Sequence, residues 1–94
     1  MKIKEFIWFE EIIEKLERKH HVRQEEVGEV FANRPQFRFV EKGHRSGENV
    51  YAALGITNGG RRMIVFFVYK KDKSALPLSA RNMTLAERKK YEQK

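Results

Sequence analysis

Cysteine is absent from this 94-residue chain, and long apolar runs are absent too. Without cysteine the protein has no disulfide bond, no thiolate metal ligand and no cysteine nucleophile. No segment approaches the roughly 20 apolar residues that span a bilayer, and residues 1–5 lack the apolar core of a signal peptide. We therefore expect a cytoplasmic protein without a membrane segment, held together by its hydrophobic core alone.

Patterns that would mark a metal or nucleotide site are absent as well. The three histidines lack the paired spacing of a zinc-binding helix, and the second half of the chain has no carboxylate cluster. The turn at 57–61 has two glycines without the lysine and serine of a phosphate-binding loop. The sequence therefore predicts a protein that uses no cofactor and no metal. Because internal repeats and linkers are missing too, it also predicts a single domain over residues 1–94.

Positive charge is abundant and unevenly distributed. The formal net charge is +7. Residues 1–32 carry six lysines and arginines against eight acidic residues, whereas residues 33–94 carry fourteen against five. Such an excess favours an anionic partner, and RNA is the partner that we expect. The simpler interpretation, a solvated surface with excess lysine, stays open at this point.

Three segments have helical patterns. Apolar residues recur with the helical period over 9–16, and this helix should end near 19–21. A second helix is expected over about 25–32, before an Asn-Arg-Pro stop. Thr84 and Glu87 form the capping-box pattern at the start of a basic C-terminal helix.

Most of the remaining chain has strand patterns. The sequence predicts strands over four segments: 3–8, 36–41, 49–56 and 63–69. The last of these is apolar almost throughout and should be central, and the turn at 57–61 predicts a hairpin. Because Pro77 cannot donate to a neighbouring strand, a further strand over 76–79 should be short or lie at an edge. The pattern indicates an α+β fold: an antiparallel sheet of about four strands, two N-terminal helices and a C-terminal helix.

A set of short motifs spans nearly the whole chain. Trp8 ends the first predicted strand, and the helical region contains Lys19-His20-His21-Val22, Gln24-Glu25-Glu26-Val27 and Val30-Phe31. Glu48 and Gly55 follow, and then Ser79-Ala80-Arg81-Asn82-Met83-Thr84 with Glu87-Arg88 and Tyr91. These motifs resemble the signature of BrnT-type toxins, most specifically in the C-terminal part. The resemblance implies a RelE-like fold.

The same resemblance implies a function. It implies a ribonuclease toxin of a type II toxin-antitoxin pair that cleaves mRNA and inhibits translation, with a BrnA-like antitoxin protein as partner; a homodimer is left open. The chain departs from the family pattern at several positions: Phe9, Leu16, His21, Val50 and Lys70-Lys71. The alternative is therefore a catalytically degenerate module of the same fold that binds RNA or the antitoxin without cleaving.

Cleavage of RNA without a metal needs a proton acceptor for the ribose 2′-hydroxyl, cations for the phosphorane and a proton donor for the leaving oxygen. His20 is the candidate for proton transfer, because imidazole titrates near neutral pH; the alternative is a residue that only caps helix carbonyls. Arg81 is the candidate phosphate clamp, since its planar guanidinium can bind two oxygens. Lys19 and Arg88 are candidates for charge stabilisation. The alternatives are that Lys19 only interacts with the helix dipole and that Arg88 is only a solvated side chain. Tyr91 could stack on a base or donate a proton, or anchor its helix in the core.

Further basic residues could follow the RNA backbone along a groove. These candidates are Arg45, Arg61, Arg62, Lys70, Lys71 and Lys89. Such clusters are more often plain solvated surface, so only their grouping on one face would make them a site. Glu48 could orient a cation or serve only as an ion-pair partner. The hypothesis depends on one spatial expectation: the cationic groups at the end of the first helix, with His20, and at the final strand-to-helix junction, with Arg81, should converge in space where a phosphodiester could lie.

Overall fold

The computed structural model describes residues 1–93 and shows an α+β fold. Its elements are β1 (Glu5–Phe6), α1 (Glu10–His20), α2 (Gln24–Ala32), β2 (Gln36–Glu41), β3 (Asn49–Ile56), β4 (Arg62–Tyr69), β5 (Ser74–Asn82) and α3 (Leu85–Glu92). The order of helices and strands along the chain agrees with the sequence prediction. The fold class is therefore confirmed.

The strands form one five-stranded sheet in the order β1-β5-β4-β3-β2. Strands β2 to β5 are antiparallel, with β4 at the centre as predicted, whereas β1 pairs parallel to β5. The sheet is thus mixed and has one strand more than the expected four. The sequence did not reveal this pairing because β1 joins a strand from the far end of the chain, and local alternation carries no information about such a partner.

Strand β5 is longer than expected, at nine residues. Pro77 lies at a register shift between β4 and β5, where a bulge tolerates the missing backbone N–H. On its outer side β5 pairs with β1 only through Ser74 and Ala75. Among the described residues, Pro77 therefore lacks a strand neighbour on that side, which is the edge environment that proline requires.

Different helices cover the two faces of the sheet. Helices α1 and α2 cover the main core, which includes the buried side chains of Leu16, Val27, Val65 and Phe67. Helix α3 lies on the opposite face, where Tyr91 packs against Ala52, Leu54, Ile64 and Met83. We call this second surface the α3 face. By strand register, its side chains also include Arg38, Val50, Phe66, Val68, Leu76 and Arg81.

Helix α1 ends where its cationic last turn predicts. His21 follows it with a left-handed φ of 53°, a conformation that favours glycine. The N–H of Val22 then donates to the carbonyl of Leu16 at 3.0 Å and closes the turn. This turn directs the chain from α1 into α2 and leaves the carbonyls of His20 and His21 to accept from Arg61, the residue before β4.

Candidate functional site

Arg81 is held in a fixed position on the α3 face. Its Nη1 and Nη2 donate to the two carboxylate oxygens of Glu87 at 2.7 and 2.9 Å. Nη1 also donates to the carbonyl of Asn82 at 3.1 Å, and the guanidinium carbon lies 5.6 Å from the centre of the Phe66 ring. Arginine has five N–H donors, so two of them have no acceptor among the described residues.

Arg81 and Glu87 stabilise each other's charged form. The hydrogen bond from Arg81 lowers the pKa of Glu87 from 4.5 to about 2, against an opposing effect of burial. The same bond raises the pKa of Arg81 above its usual value. Glu87 also accepts from the N–H of Thr84 at 2.8 Å and so completes the predicted capping box of α3. One carboxylate thus orients the guanidinium and begins the helix.

Arg38 is a second half-buried guanidinium on the α3 face. It stands in register with Ala52, which in turn faces Phe66 of the central strand. Arg38 and Phe66 are therefore two strand spacings apart, about 10 Å. Arg38 donates to Gln36 at 3.3 Å, and within residues 1–93 no carboxylate lies at ion-pair distance from it.

Arg38 and helix α3 enclose an open depression of about 570 Å³. Its lining consists of Arg38, Thr84, Ala86, Glu87, Lys89 and Lys90. Lys89 is one of the residues selected from the sequence, whereas Arg38 is not. The sequence did contain a signal for Arg38. It lies between Phe37 and Phe39, so strand alternation places this single cation on the face of the sheet that α3 only partly covers.

The other two candidates on α3 differ in exposure. Tyr91 is half-buried against the small core of the α3 face, and its carbonyl accepts from Gln36 Nε2 at 2.8 Å. Its ring therefore anchors the helix. Arg88 is exposed, and among the described residues it has no ion-pair partner.

Arg61 joins the end of α1 to α2 and β5. Its Nη2 donates to the carbonyl of His20 at 3.0 Å, and its Nη1 donates to that of His21 at 2.9 Å. Nη1 also contacts Glu26 at 3.1 Å, and Nε donates to the side-chain oxygen of Asn82. Burial raises the pKa of Glu26, but hydrogen bonds from Arg23 and Arg61 outweigh it and leave that pKa lowered. Arg61 is thus bound to four protein groups.

The Arg61 network brings the end of α1 close to the end of β5. His20 follows Leu16 by one helical turn and is half-buried, while Lys19 is exposed. The side chains of His20 and Arg81 nevertheless belong to opposite faces of the sheet, because Arg81 alternates with Asn82, which points toward α1. The two segments therefore meet at one corner of the molecule, but the end of the sheet lies between the two side chains, so these do not converge on one face as the sequence led us to expect.

The remaining basic candidates lie toward two ends of the α3 face. Arg62 forms an ion pair with Glu92 at 2.8 Å near the α3 end. Arg45, Lys70 and Lys71 lie at the other end, around an open depression of about 360 Å³.

A further cavity of about 320 Å³ adjoins the depression around Lys70. Its apolar floor is formed by Val50, Val68 and Leu76, and its rim includes Lys42, His44 and Glu48. Glu48 and Lys70 line both cavities. The sequence analysis grouped Arg45 of this loop with Lys70 and Lys71 as a possible groove for RNA. It did not predict the apolar cavity itself, because the loop over 42–48 is distant in sequence from β4 and β5.

The chain matches the family model described as "Ribonuclease toxin, BrnT, of type II toxin-antitoxin system" over residues 8–87. The chain belongs to the BrnT family. The resemblance found in its motifs is thereby confirmed. A search of curated proteins gives no match.

Membership of the BrnT family defines the function at a coarse level. The family is one of ribonuclease toxins of type II toxin-antitoxin systems, which implies RNA as substrate and a protein antitoxin as partner. Within residues 1–93, no three His, Asp or Glu side chains are grouped as metal ligands. No helix in that part of the chain is long and apolar enough to cross a membrane.

Proposed function

We propose that this BrnT-family protein is a metal-independent endoribonuclease that inhibits translation by cleaving mRNA, with Arg81 as its phosphate clamp. The observation that carries the proposal is the fixed Arg81 guanidinium, held by Glu87 beside a cation-lined depression. A cation oriented before the substrate arrives stabilises the developing phosphorane charge without reorganising. Its two remaining N–H groups provide the contacts for nonbridging oxygens.

An RNA strand along the α3 face would meet cations at both ends of the sheet. Arg38 and Lys89 line the depression beside Glu87, which binds Arg81, and Arg62 lies close to the same helix. The other end has Arg45, Lys70 and Lys71. Arg61 differs from these residues, because its bonds to four protein groups already explain its presence.

His20 is our candidate for proton transfer, with Lys19 beside it for charge stabilisation. The bonds from Arg61 to the His20 carbonyl and to Asn82 support this role, because they hold the end of α1 against the end of β5. Because the side chains of His20 and Arg81 lie on opposite faces, an RNA strand would have to pass around this end of the sheet to meet both.

His44 is a competing candidate for proton transfer, because it lies on the same face as Arg81. On helix α3, Arg88 would add positive charge. Tyr91 would present the polar end of its ring to the substrate while the rest anchors the helix.

Expression of the chain alone in bacteria tests the proposal. Wild type should arrest growth and fragment mRNA, and Arg81→Ala should reduce cleavage at least about a hundredfold, as loss of a charge-stabilising donor does. Arg81→Lys should not restore the rate, because an ammonium cannot make the planar two-point contact. Arg18→Ala, which removes an exposed arginine from α1, is the matched control and should cleave normally. Unchanged growth and intact RNA in cells that accumulate folded wild type would disprove the toxin activity.

Histidine variants separate the two proton-transfer candidates. We expect His20→Ala to slow cleavage about a hundredfold and His44→Ala to retain cleavage, with circular dichroism confirming that both are folded. The reverse result would transfer the role to His44. Salt-sensitive RNA binding without cleavage by wild type, even after long incubation, would instead support the degenerate binding module.

A further inference from the structure

The cavity between loop 42–48 and strands β3 to β5 has the composition of a nucleobase site. Its volume of about 320 Å³ is at the small end of the range for ligand pockets, which suits one base better than a longer ligand. Val50, Val68 and Leu76 provide an apolar floor that the face of a base can cover. Recognition of single-stranded RNA typically combines such contact with hydrogen bonds to the base edge.

Two glycines fix the shape of the loop at this cavity: Gly43 lines the cavity and Gly47 lines the neighbouring depression. The N–H of Gly43 donates to the side-chain oxygen of Asn49 at 3.0 Å, and a Cβ at Gly43 would collide with the backbone carbonyl of Glu48. Gly47, with a φ of 80°, lies against the side-chain stem of Lys71, where a Cβ would also collide. The loop therefore closes on itself and on the end of β4 because glycine stands at both positions.

Glu48 is a half-buried carboxylate on the wall shared with the neighbouring depression. Within residues 1–93, its carboxylate has no hydrogen-bond donor and no ion-pair partner. The alternative that Glu48 serves only as an ion-pair partner therefore has no support in the structure. A carboxylate offers two acceptor oxygens side by side, so a ligand with two adjacent N–H donors would match it.

We infer that this cavity binds a guanine base of the RNA strand, an inference that rests on the proposed function. The Watson–Crick edge of guanine carries adjacent N1–H and N2–H donors, which pair with one carboxylate. Its O6 and N7 are acceptors of the kind that lysine recognises, and Lys42 and Lys70 lie on the rim. Adenine, cytosine and uracil lack the adjacent pair of donors. Lys71 borders the adjoining depression, where the phosphate of the same nucleotide would lie.

Titration of the full chain with the four nucleoside monophosphates, followed by NMR, tests this inference. The ligands carry the same charge, so differences in affinity report on the base. We expect GMP to bind roughly tenfold more tightly than AMP, CMP or UMP, at the low end of a two-point base contact. GMP should shift the methyl signals of Val50, Val68 and Leu76, whereas inorganic phosphate should leave them unmoved. Equal affinities, or equal methyl shifts with phosphate, would overturn the inference.

Substitution of the carboxylate identifies the recognising group. Glu48→Gln keeps the size of the side chain but loses one acceptor, so the preference for GMP should fall to within about twofold. Glu14→Gln, the same change on the exposed side of α1, should keep the preference. If Glu48→Gln keeps it and Glu41→Gln loses it, the assignment to Glu48 is wrong.

Separate measurements test the base site and the ribonuclease activity, so either proposal can be disproved without the other. If the chain prefers GMP in a Glu48-dependent manner but leaves mRNA intact, the base site is supported and the ribonuclease proposal is disproved. The chain could instead cleave mRNA with no guanosine at a fixed distance from the cut and bind the four nucleotides equally. In that case the ribonuclease proposal is supported and the base site is disproved.

Discussion

Glu87 links the chemistry of Arg81 to the start of α3. Its two oxygens bind the guanidinium, and one of them also accepts from the N–H of Thr84. A substrate phosphate approaching Arg81 therefore meets a guanidinium whose position and charge are already fixed. Because the capping residue is also the orienting residue, substitutions of Glu87 should alter both catalysis and helix stability.

The acid stability of the protein should depend on Glu87. Its pKa is about 2 in the folded state, against 4.5 ordinarily. A lowered folded-state pKa stabilises the fold fully above about pH 4.5, and this contribution is lost as the pH falls toward 2. The shift corresponds to about 3 kcal/mol, which we reduce to about 1–2 kcal/mol because 24% of the side chain is exposed. Urea denaturation should show this extra loss in wild type, relative to Glu87→Gln, between pH 5 and pH 2.

Glu92→Gln is the matched control for this pH dependence. Glu92 forms the more exposed ion pair of α3, with Arg62, so its removal should leave most of the acid sensitivity in place. Identical pH profiles for wild type and Glu87→Gln would show that the Arg81–Glu87 pair does not contribute to folding.

At the scale of elements, Arg61 and Arg62 have different environments despite being neighbours. Arg61 binds the end of α1, the first turn of α2 and the end of β5. Arg62 points to the other face of the sheet and binds Glu92 of α3. Because side chains alternate between the two faces along a strand, Arg61 faces the connections between elements whereas Arg62 lies on the α3 face.

Loss of Arg61 should therefore destabilise the fold more than loss of Arg62. We expect Arg61→Ala to lower the free energy of unfolding by about 2–3 kcal/mol, because it leaves helix carbonyls and Glu26 without their donor. Arg61→Lys should recover less than half of this, since one ammonium cannot reach four groups. Arg62→Ala should cost under about 1 kcal/mol, as exposed ion pairs do. Chemical denaturation measures all three, and equal effects at the two positions would contradict the assignment.

At the scale of the whole molecule, the positive charge of residues 33–93 is concentrated on elements that form the α3 face. The acidic N-terminal segment forms α1 and α2 on the other side of the sheet. The fold thus separates the two halves of the sequence in space as well as in charge. This arrangement favours approach of an anionic strand from the α3 side.

Binding to RNA should depend on salt to a degree set by the cations of the α3 face. For single-stranded RNA, each phosphate contact contributes about 0.7 to the slope of log affinity against log salt. Lys70→Ala and Lys89→Ala should each reduce the slope by about that amount, whereas Arg18→Ala on α1 should not. Fluorescence anisotropy with a 2′-O-methylated, uncleavable RNA measures this. A reduction of equal size with Arg18→Ala would mean that RNA binds through the overall charge rather than through this face.

The sequence was most informative where structure depends on near neighbours. The helical period of α1, the alternation of β2 and the Thr84–Glu87 capping box are repeated within a few residues, so all three elements were predicted close to their observed positions. The departures came from distant pairing: β1 joins β5 in parallel, and β5 extends through Pro77 at a bulge. For the site, the sequence selected Arg81, but it did not indicate Arg38 or the cavity beside Glu48.

By itself, the sequence determined the order of elements, the uneven charge and the motifs of the BrnT family, because all of these are written in residue types and short spacings. Only the tertiary structure decided that Arg61 joins elements while Arg62 faces α3, and that His20 and Arg81 lie on opposite faces of the sheet. It also brought loop 42–48 against strands β4 and β5 to form a cavity. These features depend on which strand lies next to which and on which side of the sheet each side chain emerges, and both are fixed by contacts between residues far apart in the chain.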